Sequence, residues 1–223
     1  MTDKKDLPCS PCRSEISVAV ILLAAGRSTR MSSDFGHKLL VAVDGVPLVR
    51  RVAMQAIESR ATHVYVVTGF RHEDIGDCLA DLQISIAFNP AFASGMASSL
   101  VAGLKIPGVM DHDGTLILLA DMPAITAKCL NDLIAAFETS NGRAIVRASH
   151  AGTPGNPVIL PNALYARALD LQGDRGAKGV IQTSDLDVVD VEIGEAAIFD
   201  IDTKEDLEKY GDTSRRQNSV RNL

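Results

Sequence analysis

Arg27, Arg30 and Lys38 fall within twelve residues of one another, directly after the apolar run Val18–Ala24 and the turn Ala25-Gly26. Three cations crowded at one strand end repel each other unless an anion joins them. A Gly-containing turn beyond a strand exposes backbone N–H groups that no ladder uses, which suits it to a polyphosphate. The arginines and the lysine would neutralise the same charge from the side. The pattern is neither G-x-x-x-x-G-K-[ST] nor G-x-G-x-x-G, so a nucleoside triphosphate would be held without P-loop or dinucleotide-fold mechanics. Gly26 alone could simply close a turn; the cations favour a ligand.

A second centre is Leu119-Ala120-Asp121-Met122-Pro123, where a carboxylate ends an apolar run. Mg²⁺ prefers hard oxygen ligands, commonly one or two carboxylates together with substrate phosphates. Capping the following helix is the other use for Asp121, but Thr126, just before Ala127, is better placed for that. In Phe199-Asp200-Ile201-Asp202-Thr203 the two acids stand two apart, so on an extended segment they point the same way. Either would complete a Mg²⁺ site if that segment lies beside Asp121. Asn89-Pro90, the run Ser94-Gly95-Met96-Ala97-Ser98-Ser99-Leu100, and the Gly-rich stretches 152–157 and 173–178 add turns and polar groups that either face a ligand or serve as surface turns. Asp34-Phe35-Gly36 spells a kinase metal motif, but no H-R-D loop accompanies it, and it reads as a chance tripeptide.

The elements that must position these groups alternate. Strands are predicted over Val18–Ala24, His63–Thr68, Ile84–Phe88, Thr115–Ala120, Ala144–Ala148, Pro157–Leu160, Leu186–Val191 and Ala197–Ile201. Helices are predicted over Leu48–Ser59, Glu73–Leu82, Met96–Leu104, Ala127–Phe137, Ala163–Leu169, Ala177–Gln182 and Thr203–Tyr210, the last capped by Thr203 with Asp206. This rhythm describes an α/β fold, a three-layer α/β/α sandwich with a mostly parallel, Rossmann-like sheet. Ligands in such sheets lie outside the carboxyl ends of the strands, so the loops after Ala24, Thr68, Phe88 and Ala120 should matter. One domain over 18–210 is expected between polar tails at 1–17 and 211–223 that read as disordered.

A 223-residue chain that is 46% hydrophobic can bury a full core, and with 4% aromatics that core is aliphatic. A net charge of −6 speaks against bulk nucleic-acid binding, and no apolar run is long enough for a membrane span. Cytoplasm is the expected compartment, since the first residues lack the apolar centre of a secretory signal. Cys9 and Cys12 form a lone C-x-x-C without further zinc ligands and read as an incidental pair, while Cys78 and Cys129 read as buried thiols.

Together the motifs resemble the nucleotidyltransferases that attach a nucleotide to the molybdenum cofactor. The resemblance runs from about Val18 to Tyr210. It is carried by Leu23-Ala24-Ala25-Gly26, Val66-Val67-Thr68-Gly69, Asn89-Pro90, Gly95-Met96 with Ser98-Ser99-Leu100, Asp121-Met122-Pro123, Gly155-Asn156-Pro157-Val158, Gly173-Asp174 with Gly176-Ala177, and Asp200-Ile201-Asp202-Thr203, all in the expected order. Ala25, where the guanylyl-transferring members have a second Gly, looks like the cytidylyl version. Departures are Ser32 after Arg-Met in place of Gly, His37 in place of Asn, Thr153-Pro154 in place of a basic residue, and Lys178 in place of Arg.

The resemblance implies a fold like that of the nucleotide-diphospho-sugar transferases and transfer of CMP from CTP to the terminal phosphate of molybdopterin. It assigns Leu23, Ala24, Ala25, Gly26, Arg27, Arg30 and Lys38 to the triphosphate side, and Thr68, Asn89, Ser98 and Ser99 to base and ribose. Asp121 and Asp202 would hold Mg²⁺, with Mn²⁺ the alternative and Asp200 a neighbour. Gly155, Asn156, Pro157, Gly173, Asp174 and Gly176 would face the pterin. Lys38, Arg30 and Asp121 would carry catalysis, and the product would pass to a recipient molybdoenzyme or its chaperone. Two rivals stand beside this reading: a cytidylyltransferase for a sugar or polyol phosphate such as methylerythritol phosphate, and a non-catalytic nucleotide-binding chaperone.

Overall fold

A computed structural model describes residues 15–27 and 37–221, with side chains through Asp212. In chain order the strands and helices are β1 (Val18–Ala24), β2 (Ala42–Val43), β3 (Val46–Pro47), α1 (Leu48–Glu58), β4 (His63–Thr68), α2 (His72–Leu79), β5 (Ser85–Phe88), α3 (Met96–Leu104), β6 (Gly114–Leu119), α4 (Ala127–Thr139), β7 (Ile145–His150), β8 (Thr153–Pro161), α5 (Tyr165–Leu169), α6 (Gly176–Gln182), β9 (Val188–Glu192) and α7 (Lys204–Arg221).

The main sheet has seven strands in the order β5-β4-β1-β6-β8-β7-β9. All pairings are parallel except those of β8, which runs against both β6 and β7. The expected three-layer, mostly parallel sandwich is therefore the observed fold. The interior strand β1 is buried on both faces because helices cover both, which is why it reads as an unbroken apolar run. Val20 and Leu22 pack with Val52 and Ala53 of α1, Ile75 of α2 and Leu133 of α4. The intervening Ala19 and Ile21 point the other way, into Leu100 and Leu104 of α3 and Tyr165 of α5.

Several expectations fail locally. Residues 197–201 form no strand; a 3-10 turn spans Gly194–Ala197, and only the Ile201 N–H reaches across, to the Asp121 carbonyl at 2.9 Å. One bond of that kind is not a ladder. Residues 153–157 are not a free loop but the start of β8, paired with the end of β7 across an irregular register. The short β2–β3 hairpin carries no sequence signal beyond Asp44-Gly45, whose positive φ values make its turn. Ile16 packs against the core and Ser17 is tied to Asp113 by bonds of 2.8 and 3.0 Å, so the expected tail through residue 17 is folded at its end. At the other terminus α7 continues through the expected tail to Arg221. Cys78 and Cys129 are half-buried, flanking the core and not inside it; Cys9 and Cys12 lie outside the described residues. Among the described residues, no helix is long and apolar enough to cross a membrane.

Candidate active site

The carboxyl ends of β1 and β6 bring the two predicted centres together. Ala25 and Gly26 leave β1 with both carbonyls engaged: Ala25 accepts the Phe70 N–H at 3.2 Å, and the Gly26 oxygen lies 2.8 Å from His37 Nε2. The chain returns at a 3-10 turn, Lys38–Leu40, whose Leu39 is anchored in the core. Leu39 thereby aims the Lys38 side chain across the strand ends.

Lys38 Nζ lies 2.7 Å from Asp121 Oδ2 and 2.8 Å from Asp202 Oδ1, with only 11% of the lysine side chain exposed. Burial alone would lower its pKa; the Asp121 charge and hydrogen bond, joined by those of Asp202, outweigh that and hold the ammonium above its ordinary value. Asp121, Asp200 and Asp202 form a carboxylate triad whose ligand oxygens all lie within 4.8 Å of one another. Partial burial, and then repulsion by Asp121 and Asp202, push the Asp200 pKa up. Among the described residues, Asp121 Oδ1 is buried with no hydrogen-bond partner. An orphaned hard oxygen beside clustered carboxylates is the donor set that suits a Mg²⁺-type ion. The expectation that Asp200 and Asp202 approach Asp121 therefore holds, although a coil segment and not a strand delivers them.

The segment is fixed from behind. Fully buried Ile201 sits between the two acids and packs with Val43 and Leu48. Asp206 Oδ2 accepts the N–H groups of both Asp202 and Thr203, and Thr203 Oγ1 accepts the Asp206 N–H at 3.2 Å. This is the expected capping pair, and it also clamps Asp202. Tyr210 of α7 donates to the Pro123 carbonyl at 3.0 Å, bracing the loop that carries Asp121.

A cleft of about 480 Å³ opens above these groups. Leu23, Ala25, Gly26, Arg27, Lys38, Ser99, Asp121 and Asp174, all expected site residues, line it together with Met96 of the Gly95-Met96 motif and Phe92, which no motif marks. Arg27 lies over the Phe92 ring, 5.3 Å from its centroid. Phe92 gave no signal because a single aromatic in a loop has no pattern. Arg30 lies outside the described residues.

Other predicted residues sit behind the wall. Ala24 is fully buried in the core. Thr68 is 1% exposed and donates to the Ala87 carbonyl of the neighbouring strand. Asn89 is also buried: its amide donates to Ser98 Oγ at 3.0 Å and Ser99 Oγ at 3.1 Å, and its oxygen accepts the Ala91 N–H at 3.0 Å. Its side-chain polar atoms are spent on shaping the loop, so Asn89 and Thr68 support the cleft without lining it.

Loop 173–176 closes one side. Gly173 accepts the Ala97 N–H at 3.0 Å, so the loop seats on the first turn of α3. Gly95, at φ 110°, permits the fit: a Cβ there would lie 2.5 Å from Asp174 Oδ1 and 2.6 Å from the Gly173 backbone. Gly176 packs on Met96. Gly155 lies against the Ala197 carbonyl, beside the turn that leads to the acid triad. Because β8 is antiparallel, Gly155, Asn156 and Pro157 reach the same rim as the carboxyl ends of β1 and β6.

Residues 20–188 match the MobA-like NTP transferase domain family. The chain belongs to that family. A MobA-like NTP transferase domain therefore builds the cleft. Bifunctional protein GlmU of Thiobacillus denitrificans is 30% identical over 164 residues, covering 73% of this chain but only 35% of that protein, so the chain spans about a third of this curated relative. A nucleotidyl transferase from Methanothermobacter superposes with a TM-score of 0.77 at 20% identity, over 90% of this chain and 99% of the other. Molybdopterin-guanine dinucleotide biosynthesis protein A from Archaeoglobus fulgidus superposes at 0.64 with 17% identity, over 89% and 99%. These likenesses establish the fold.

Proposed function

We propose that this MobA-like domain transfers CMP from CTP to the terminal phosphate of molybdopterin, releasing pyrophosphate, with Mg²⁺ or Mn²⁺ held by Asp121 and Asp202. The observation that carries the reading is the junction of Lys38, Asp121 and Asp202 at the foot of the cleft below Ala25-Gly26. Cations and backbone N–H groups stand on one side and carboxylates on the other, the division of labour that a metal–triphosphate complex needs.

The acceptor phosphate is already an anionic nucleophile, so no Ser, Cys or His nucleophile is called for. Its oxygen forms the new bond to the α-phosphorus in line, while the bond to the bridging oxygen breaks and its electron pair leaves on pyrophosphate. Lys38, Arg27 and Arg30 neutralise the triphosphate, and the turn N–H groups orient it. A bound divalent ion supplies Lewis-acid neutralisation of phosphate charge; Asp121 and Asp202 would be its ligands and Asp200 their neighbour. Asp174 and the Gly155–Pro157 segment bound the acceptor side. Support for molybdopterin over a sugar phosphate comes from the Gly-Met-x-Ser-Ser and Gly-Asn-Pro-Val motifs and from the Archaeoglobus relative's name; support for CTP over GTP comes from Ala25. The reaction belongs in the cytoplasm, with a molybdoenzyme or its chaperone receiving the product.

The deciding experiment measures pyrophosphate release with molybdopterin as acceptor and CTP, GTP or ATP as donor. The expected result is turnover with CTP well above the other two. Preference for GTP overturns the cytidylyl assignment; activity only with sugar or polyol phosphates overturns the acceptor, and binding without turnover would mark a chaperone.

A further inference from the structure

The metal reading of the acid triad leaves Lys38 with an awkward position. Its ammonium sits between Asp121 and Asp202, 2.7 and 2.8 Å from one oxygen of each, directly beside the unpartnered Asp121 Oδ1 that a divalent ion would use. The lysine is largely buried and cannot be screened there as a surface ion pair would be. A divalent ion placed beside that ammonium meets a like charge at contact range, in a setting where such repulsion is strong. We infer that Lys38 is a competing cation, which holds the carboxylates together and keeps divalent metal weakly bound until nucleotide phosphate draws the ammonium away.

The second partner for Lys38 is present by design of the cleft. Lys38, Gly26 and Arg27 line the same wall, so a triphosphate seated on the Gly26 turn offers the lysine phosphate oxygens in exchange for carboxylate oxygens. The swap frees the Asp121–Asp202 gap when the anion that needs the metal arrives. Metal and nucleotide then load together, and by linkage each strengthens the other's binding. Lys38 thus has a role in the nucleotide-free protein distinct from charge neutralisation during transfer.

The inference rests on the metal reading, and one titration separates the two. Free Mn²⁺ is measured by electron paramagnetic resonance as it is added to the full-length, nucleotide-free chain. Lys38→Met should bind Mn²⁺ at least tenfold more tightly than the parent, Lys38→Arg should stay near the parent, and adding Asp121→Asn to Lys38→Met should abolish the gain. If Lys38→Met binds no tighter while Asp121→Asn still weakens binding, the competing-cation role is wrong and the metal site stands. If neither Asp121→Asn nor Asp202→Asn alters Mn²⁺ binding in any background, the metal reading itself is wrong. Should Lys38→Met not fold, the unmodified protein decides: Mg²⁺ with CTP should shift the Lys38 Nζ resonance in lysine side-chain nitrogen spectra, and an unmoved resonance overturns the exchange.

Discussion

At the scale of single residues the site is a charge balance: three carboxylates around one half-buried ammonium, with Asp121 Oδ1 lacking a hydrogen-bond partner among the described residues. Removing either side should disable transfer without unfolding the chain. Asp121→Asn is expected to lower turnover about a hundredfold or more, the size expected from losing about 2.7–4 kcal/mol of transition-state stabilisation; near-normal turnover with an unchanged circular-dichroism spectrum would refute its role. His37 gives a pH prediction. Burial, reinforced by Arg71 and Lys38, lowers its pKa below the ordinary 6.5 despite the Gly26 bond. A depressed base binds fewer protons folded than unfolded, so its stabilising contribution is present above pH 6.5 and is lost as pH falls through the lower, folded pKa. His37→Gln should flatten the acid limb of stability measured by urea denaturation between pH 7 and pH 5, and an unchanged limb counts against this. Asp121 and Lys38 were legible in the sequence because charged residues at the ends of apolar runs are conspicuous. The bond between them was not, since 83 residues separate them. Asn89 is expected near base and ribose, but its amide partners lie nine and ten residues on, where sequence cannot show that the loop consumes them.

At the scale of elements, the cleft depends on a few close approaches. Gly95→Ala must move loop 173–176 off α3, because the new Cβ meets Asp174 and the Gly173 backbone and because φ there is 110°. The expected outcome is a raised acceptor KM, a nucleotide KM that changes less, and a stability loss of about 1–3 kcal/mol from backbone strain. Equal changes in the two KM values would show that the loop does not belong to the acceptor side. Asn89→Ala removes the donors for Ser98 and Ser99 and the acceptor for Ala91, so it should cost roughly 1–3 kcal/mol in thermal or urea unfolding. The strands and helices that embody periodicity were legible: β1, β4, α3 and α4 stand within a residue or two of expectation. The segment 197–201 was misread because Phe-Asp-Ile-Asp alternates like a strand, while its alternation serves instead to bury Ile201 and present two acids. The β2–β3 hairpin was missed because strands of two residues carry no period.

At the scale of the whole molecule, a third small cluster joins two segments distant in the chain: Val43 and Leu48 from the segment after Lys38 meet Ile201, Phe199, Leu207 and Tyr210 from the last stretch. Ile201→Ala should therefore act twice, costing about 2–5 kcal/mol from the cavity and lowering turnover by loosening both acids. A melting temperature lowered by about 5 °C or more with turnover intact would separate packing from function. The fold class was legible from the alternation of elements, but the single reversed strand was not, because burial on two faces looks the same in either direction. That reversal has a consequence for how such a scaffold diversifies. The parallel strands β4, β1 and β6 pair side by side, whereas the β7–β8 hairpin turns at the rim and can lengthen, shorten or change its tip without re-registering those strands. Under the proposed function, a lineage built on this plan can trade one acceptor for another by editing a hairpin, and keep its nucleotide.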